Sequence, residues 1–500
     1  MLHCEPLLAI SLLISVLYLV YYLYFKKASE VPSAGVAPGL LGSWIAAYRF
    51  SHDSAAILQG GYQKYGRLGK SFRISTPRRW IIVVTHPAVL KQKENADERH
   101  LSMRAAADER NSMSYLLSNC IHENPLHVAI IQRKMRHRLL ELIPDMLIRL
   151  DEILKRHITV GADWVTIETS HLVLECISIT TNRVLVGEEL SGDKEWLDLS
   201  EKLSLAISEA GLLVDLTPKC FKQAVAWYLL PSGIWNAYLS KLGGVFEERE
   251  KRMHEYDTGL AERPKDAIQW ILEAAGPSSL YNLCMYILYI QFSSIHTSAA
   301  SLMNALFDLA CHRESQIPIQ REIAQVLELK GGWNKQALSN LKNVDSSLRE
   351  SQRLHPVTTA TMMRKALQPL FLADGTFLSK GQWALVPAWA INRSTEIYTD
   401  AHTFKALRSL ESSQTDGESP VDAYVPGDGF LSFGLGRHAC PGRWFAASEL
   451  KLILAFILAQ YDFKLPSDTI NRPMNNFRFF SCVPDGTQRL VFRARGKALR

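Results

Sequence analysis

The sequence predicts a mainly α-helical fold with a smaller β-rich part, preceded by one transmembrane helix. Three observations carry that expectation. Residues 281–311 and 444–460 contain no Gly or Pro and are apolar on most sides, as long buried helices are. Arg67 to Ser75 and Arg78 to Thr85 are strand-like; the second holds Trp80-Ile81-Ile82-Val83-Val84, and Thr76-Pro77-Arg78 supplies a turn between them. Pro6 to Phe25 carries no charge, and about twenty residues at roughly 1.5 Å each span the hydrocarbon core of a bilayer.

Composition narrows the class. With 47% hydrophobic and 21% charged residues, the 500-residue chain has ample material for a core. No low-complexity tract or repeat divides it after its first forty or so residues, so one large catalytic domain over 43–500 is expected. The net charge of +6 is mild, and no run of Lys/Arg interleaved with aromatics points to nucleic acid. The eight cysteines are scattered without paired spacing, which suits a reducing compartment.

In chain order, Lys26 and Lys27 follow the apolar segment and no Lys or Arg precedes it, which puts the C-terminal bulk in the cytosol. Residues 26–42, with Pro32 and Pro38, read as a hinge. Asp97 to Asn124 reads as polar and irregular. Pro125 to Leu150 reads as a helix whose basic residues form a solvated face. Apolar stretches around Pro218 follow in Leu205 to Leu230. Inside the 281–311 helix lies Ser293-Ser294-Ile295-His296-Thr297-Ser298, polar residues in mid-helix whose hydroxyls are expected to bond back to carbonyls one turn earlier. Glu350 and Arg353 share a helix face ending at Pro356. Asp374-Gly375 marks a hairpin turn, and Gln382 to Trp389 a strand that Pro387 confines to an edge or breaks. Phe477 to Pro484 forms a last loop.

The most informative stretch is Phe433 to Arg443, a glycine-rich loop that delivers Cys440 to the start of a helix, with Pro441 suited to its first position. Free N–H groups there favour a thiolate. Such a cysteine is a nucleophile, a metal ligand or simply core. Zinc is disfavoured, because no second Cys/His pair stands at ligand spacing. Gly434-x-Gly436-x-x-Ala439 formally matches a dinucleotide fingerprint, but Pro441 and Gly442 interrupt the required helix opening.

At these residues the chain resembles a known family. Phe433-x-x-Gly436-x-His438-x-Cys440-x-Gly442 is similar to the haem loop of the cytochrome P-450 family, the haem-thiolate monooxygenases, with His438 where Arg is usual. The resemblance covers essentially the whole chain and implies the cytochrome P-450 fold with haem b as cofactor. Cys440 would be the axial ligand of the haem iron, and Phe433, Gly436, His438, Gly442, Arg364 and Arg133 would contact the haem. Thr297, Ser298 and His296 would be catalytic on the oxygen side. His296 stands in place of the family's usual acid, and Ile-His-Thr runs resemble fungal secondary-metabolism members. Glu350, Arg353 and Arg408 would form a structural lock. By the same analogy Tyr289, Phe292, Ser293, Val357 and Ala360 line an apolar pocket for a terpenoid or other lipophilic metabolite. Asp97 to Asn124 would cover that pocket, and Leu205 to Leu230 would be its lid. Electrons would come from NADPH-cytochrome P-450 reductase, with cytochrome b5 as a further candidate donor. Arg437, Arg443 and Lys451 are the expected docking cations. The resemblance also implies a single-pass protein of the endoplasmic reticulum membrane. A haem isomerase or dehydratase needing no external electrons, and a haem sensor without turnover, are the competing expectations.

Overall fold

The computed structural model describes residues 31–36, 41–117, 120–158, 163–230, 232–416, 422–466 and 471–495. The segment 6–25 expected to cross a membrane lies outside them. Among the described residues no helix is long and apolar enough to do so.

The chain enters through Pro32 to Ala34, which pair with Arg73, so part of the expected hinge is an added strand edge. Helices α1 (Gly42–His52) and α2 (Ser54–Lys64) follow, the second capped by Asp53. Strands β1 (Phe72–Ser75) and β2 (Trp80–Val83) form a hairpin whose turn is closed by Thr76, which bonds through its backbone and its hydroxyl to Arg79 O. Then come α3 (Pro87–Glu94), β3 (Leu101–Ser102) and α4 (Met103–Asn111). The stretch expected to be irregular thus contains a helix. It is built of Arg, Ala, Asp and Glu, good or neutral helix formers, and Ser102 caps it.

Residues 125–150 are not one regular helix. Helix α5 (Leu126–Ile130) passes into a π-helical turn (Ile131–Met135) before the α-helix resumes at Arg136. Helices α6 (Thr169–Leu185), α7 (Lys194–Leu216) and α8 (Lys222–Leu229) lead to α9 (Leu280–Cys311), the 32-residue helix at the centre of the molecule. Helix α9 packs against α6, α10 (Lys342–Leu354) and α11 (Arg443–Gln460). A buried polar cluster fixes its rotation: Tyr238 donates to Gln291 Oε1 (2.6 Å), while Gln291 and Trp196 both donate to Asn182 Oδ1.

Strands β4 (Thr361–Ala366) and β5 (Trp383–Val386) complete a sheet of order β1-β2-β5-β4-β3, in which only β2 and β5 are parallel. Strand β5 is central and Pro387 ends it. One face of the sheet packs on Phe50, Leu58 and Phe480; the other packs toward Leu431 and Leu435, beside the Cys440 loop. The hairpin of β6 (Asn475–Arg478) and β7 (Ser481–Pro484) brings Phe480 O within 2.8 Å of the Thr359 N–H, which donates to it.

Candidate active site

The Cys440 loop is shaped by two glycines in the left-handed region, Gly434 (φ 68°) and Gly436 (φ 72°). At Gly436 a Cβ would fall 2.7 Å from Glu94 Cα and O, so the loop sits directly on the end of α3. The Cys440 N–H donates to Phe433 O (2.8 Å), and Phe433 meets Phe430 edge-on. Helix α11 begins at Arg443 with Gly442 as its N-cap, so Pro441 precedes the helix instead of opening it. Burial pushes the Cys440 thiol up, whereas the N–H groups of Gly442 and Arg443 and the Arg443 charge pull it down. Yet Cys440 presents open surface. Enclosure and open surface together mean that the sulfur borders a space inside the protein.

Helix α9 borders the same space. Ser293 and Thr297, one turn apart, are open although the helix around them is largely buried. Tyr289, one turn before Ser293, has its phenol pushed up by burial and by the nearness of Cys440. The hydroxyls of Ser293, Ser294 and Thr297 all donate to carbonyls one turn back, Thr297 to Ser293 O at 2.9 Å. His296 Nε2 is buried without a partner, and burial lowers its pKa. Ser298 points elsewhere. It faces Glu449 of α11, whose Oε1 accepts from Thr180 (2.8 Å) and Thr181 (2.7 Å) of α6. Burial pushes Glu449 up to about 7, against the pull of those three hydroxyls.

A basic rim lies beside the loop. Arg364 is 1% exposed. It donates to Met363 O and Lys93 O, and its Nε has no partner. Burial lowers it to about 10, with Arg437 adding to the effect. His438 Nε2 lies 3.3 Å from Glu98 Oε1 without the angle of a hydrogen bond. Arg133 is exposed on the π-helical turn and makes no ion pair among the described residues. His127 of α5 is buried instead, its Nδ1 unpartnered, its ring edge-on to Tyr289 at 5.0 Å and its pKa lowered by burial to about 4.

Behind the loop, Glu350 accepts from Arg353 Nε (2.7 Å) and Nη2 (2.9 Å), from Arg408 Nε (2.9 Å) and from the Lys405 N–H. Arg353 also donates to Asn392 O and Ala401 O, and Arg408 to Thr399 O and Thr403 O. Asn392 ties this network to the Cys440 loop: its Oδ1 accepts from the Leu431 N–H, and its Nδ2 donates to Ser432 Oγ.

Across residues 50–490 the chain matches the sequence model of the family Cytochrome P450. The chain belongs to the cytochrome P450 family. It is 30% identical to cytochrome P450 monooxygenase 103 of Postia placenta over 99% of each chain. It is 28% identical to cytochrome P450 monooxygenase CYP512U6 of Ganoderma lucidum, over 95% of this chain and 93% of that one. A third relative, cytochrome P450 monooxygenase ccsG of Aspergillus clavatus, is 28% identical over 89% of this chain and 90% of its own. This P450 is therefore an oxidoreductase that incorporates oxygen, and haem b is its cofactor.

The residues present fit that group. A thiol opens onto an enclosed space, unpartnered donors on Arg364, His438 and His127 stand near it, and the open face of α9 lies across from it. Three side chains of this P450 escaped the sequence reading: Glu449, Asn392 and His127. Only Glu449 left a signal, an acid in a mainly apolar helix. One expectation is corrected. Lys451 is not a docking cation, because it is buried and its Nζ donates to Asp345 Oδ2 and Leu338 O. Arg437 and Arg443 are half-tethered as well, to Asn95 O and to Cys440 O respectively.

Proposed function

We propose that this P450 is a membrane-anchored haem-thiolate monooxygenase of secondary metabolism, oxidising a lipophilic small molecule with electrons from NADPH-cytochrome P-450 reductase. Cys440 would hold the haem iron through its sulfur. Arg364, His438 and His127 bind the haem edge, with His127 in the role first expected of Arg133. When bound, haem would supply the oxygen chemistry, which a thiolate ligand favours. The protein's own part is placement and proton control. Gly442 keeps bulk away from the sulfur; a Cβ there would lie 3.9 Å from Sγ. Thr297 holds a hydroxyl on the open face of α9. Ser298 lies between that turn and Glu449, which burial raises to about 7, so this pair is the proton reservoir, while burial disfavours an extra proton on His296. Glu350, Arg353 and Arg408 hold the loop in register. Residues 6–25 anchor the protein in the endoplasmic reticulum membrane, with the domain in the cytosol.

The single observation that carries this reading is Cys440, enclosed yet open toward the face of α9 that holds Tyr289, Ser293 and Thr297. A reduced carbon monoxide difference spectrum tests it. Wild type should give the strongly red-shifted Soret band of a thiolate ligand, and Cys440→Ala should abolish it. Persistence of the band in that variant would sink the assignment.

A further inference from the structure

Helix α4 ends against the sheet and the lid helices, and the charge there does not balance. Arg78 and Arg79 at the tip of the β1–β2 hairpin both bond Asp215 at the end of α7. Glu109 of α4 is met by Lys365 (2.7 Å), Arg79 (3.4 Å) and Arg78 (3.7 Å). Lys222 of α8, only 2% exposed, has its Nζ 3.9 Å from Asp215. Arg110 stands next to Glu109. Four cations thus share two carboxylates, and Arg110 stands beside them as a fifth.

Arg110 is the one with neutral contacts only. Its Nη1 reaches Met363 Sδ at 3.6 Å, and its guanidinium lies 5.5 Å from the centre of the Phe480 ring. Among the described residues no carboxylate lies within ion-pair distance of it. Asp215, the carboxylate that bears on its charge, is already engaged by Arg78 and Arg79. Burial accordingly disfavours its charged form. The surroundings are apolar: Met363 and Phe480 belong with Ala106 and Ala360 to one hydrophobic cluster. A guanidinium left in such a place, beside surplus positive charge, offers two parallel N–H donors to a planar anion. The surrounding cations favour the same anion through their field.

We propose that the substrate is a lipophilic carboxylic acid and that Arg110 binds its carboxylate, with Met363 and Phe480 against the adjoining carbon skeleton. This rests on the monooxygenase reading above and names the class of its substrate. Arg110 binds and orients; it takes no part in bond making. The alternative is that Arg110 only packs against Phe480.

The test is a spectral titration of the haem-loaded, full-length protein with dehydroabietic acid and dodecanoic acid, each beside its methyl ester. At least one acid should shift the Soret band saturably, with a Kd about tenfold or more below that of its ester. Arg110→Met should erase the preference by weakening the acid and sparing the ester, and Arg110→Lys should keep part of it. Equal binding of acid and ester, a preference that survives in Arg110→Met, or no response to either acid overturns the inference. If Arg110→Met loses its carbon monoxide band, the comparison is made with Arg110→Lys and Arg110→Gln. Absence of that band in wild type would fail the haem reading instead, so the two failures are distinguishable.

Discussion

Glu449 shows how a single buried group ties stability to pH. Its ordinary value is 4.5 and burial raises it to about 7 in the folded protein. Below about pH 4.5 both folded and unfolded chains hold the proton, and nothing is lost. Between the two values the unfolded chain releases the proton first, so the folded state loses relative stability as pH rises. Above about pH 7 the loss is complete, on the order of 3 kcal/mol at 1.36 kcal/mol per unit. Glu449→Gln keeps an oxygen for Thr180 and Thr181 and cannot ionise. Urea melts from pH 4.5 to 7.5 should show wild type falling relative to this variant by that amount. Parallel curves would mean that Glu449 titrates normally. The same group explains why part of the site could not be read from the chain. Thr180 and Glu449 are 269 residues apart, and no local pattern reports a partner at that distance. Phe433 to Gly442 was legible for the opposite reason: one short loop holds its hydrogen bond, its left-handed glycines and its cysteine together.

At the scale of elements, the junction of α10, the Asn392 turn and the Cys440 loop is where loss of one side chain should matter most. Glu350 and Arg353 are each 2% exposed, so their pairing cannot be replaced by water. Arg408→Met leaves Arg353 as the sole side-chain partner of Glu350 and frees three backbone carbonyls, those of Thr399, Asp400 and Thr403. Removing one member of a buried ion network costs about 3–5 kcal/mol. Asn392→Ala keeps every charge but unties Leu431 and Ser432, for about 1–3 kcal/mol. Denaturant melts measure both costs. Haem absorbance per protein should fall in both variants if the network seats the loop. A variant that is destabilised yet fully loaded with haem would confine the network to folding. Glu350 and Arg353 were legible because their spacing is local. Arg408 entered by resemblance, and Asn392 was invisible, since an Asn before an Arg on a turn looks like any loop residue. Elements misread for physical reasons belong here too. Helix α4 was hidden by its polar surface, although its composition and the Ser102 cap marked it. Lys451 reads as a surface charge, because no local pattern shows Asp345 beneath it.

For the whole molecule, two membrane contacts of different strength are expected. Residues 6–25 are long and apolar enough to span a bilayer. The described domain adds a separate surface around the α7–α8 turn, where Leu213, Leu216, Phe221, Trp227 and Tyr228 are all exposed, the last two by more than 80%. Large aromatics left open in this way suit the headgroup region, where one end of the ring is apolar and the other wet. Monomeric domains seldom leave such a cluster uncovered. Deleting residues 1–25 should therefore convert carbonate-resistant membrane attachment into reversible binding that flotation with phosphatidylcholine vesicles still detects. Phe221→Ser with Trp227→Ser in the truncated protein should abolish the remainder while sparing the carbon monoxide band. If the truncated protein stays behind in flotation, the exposed turn is a lid surface with no lipid contact. If it resists carbonate, the anchor has been placed in the wrong part of the chain.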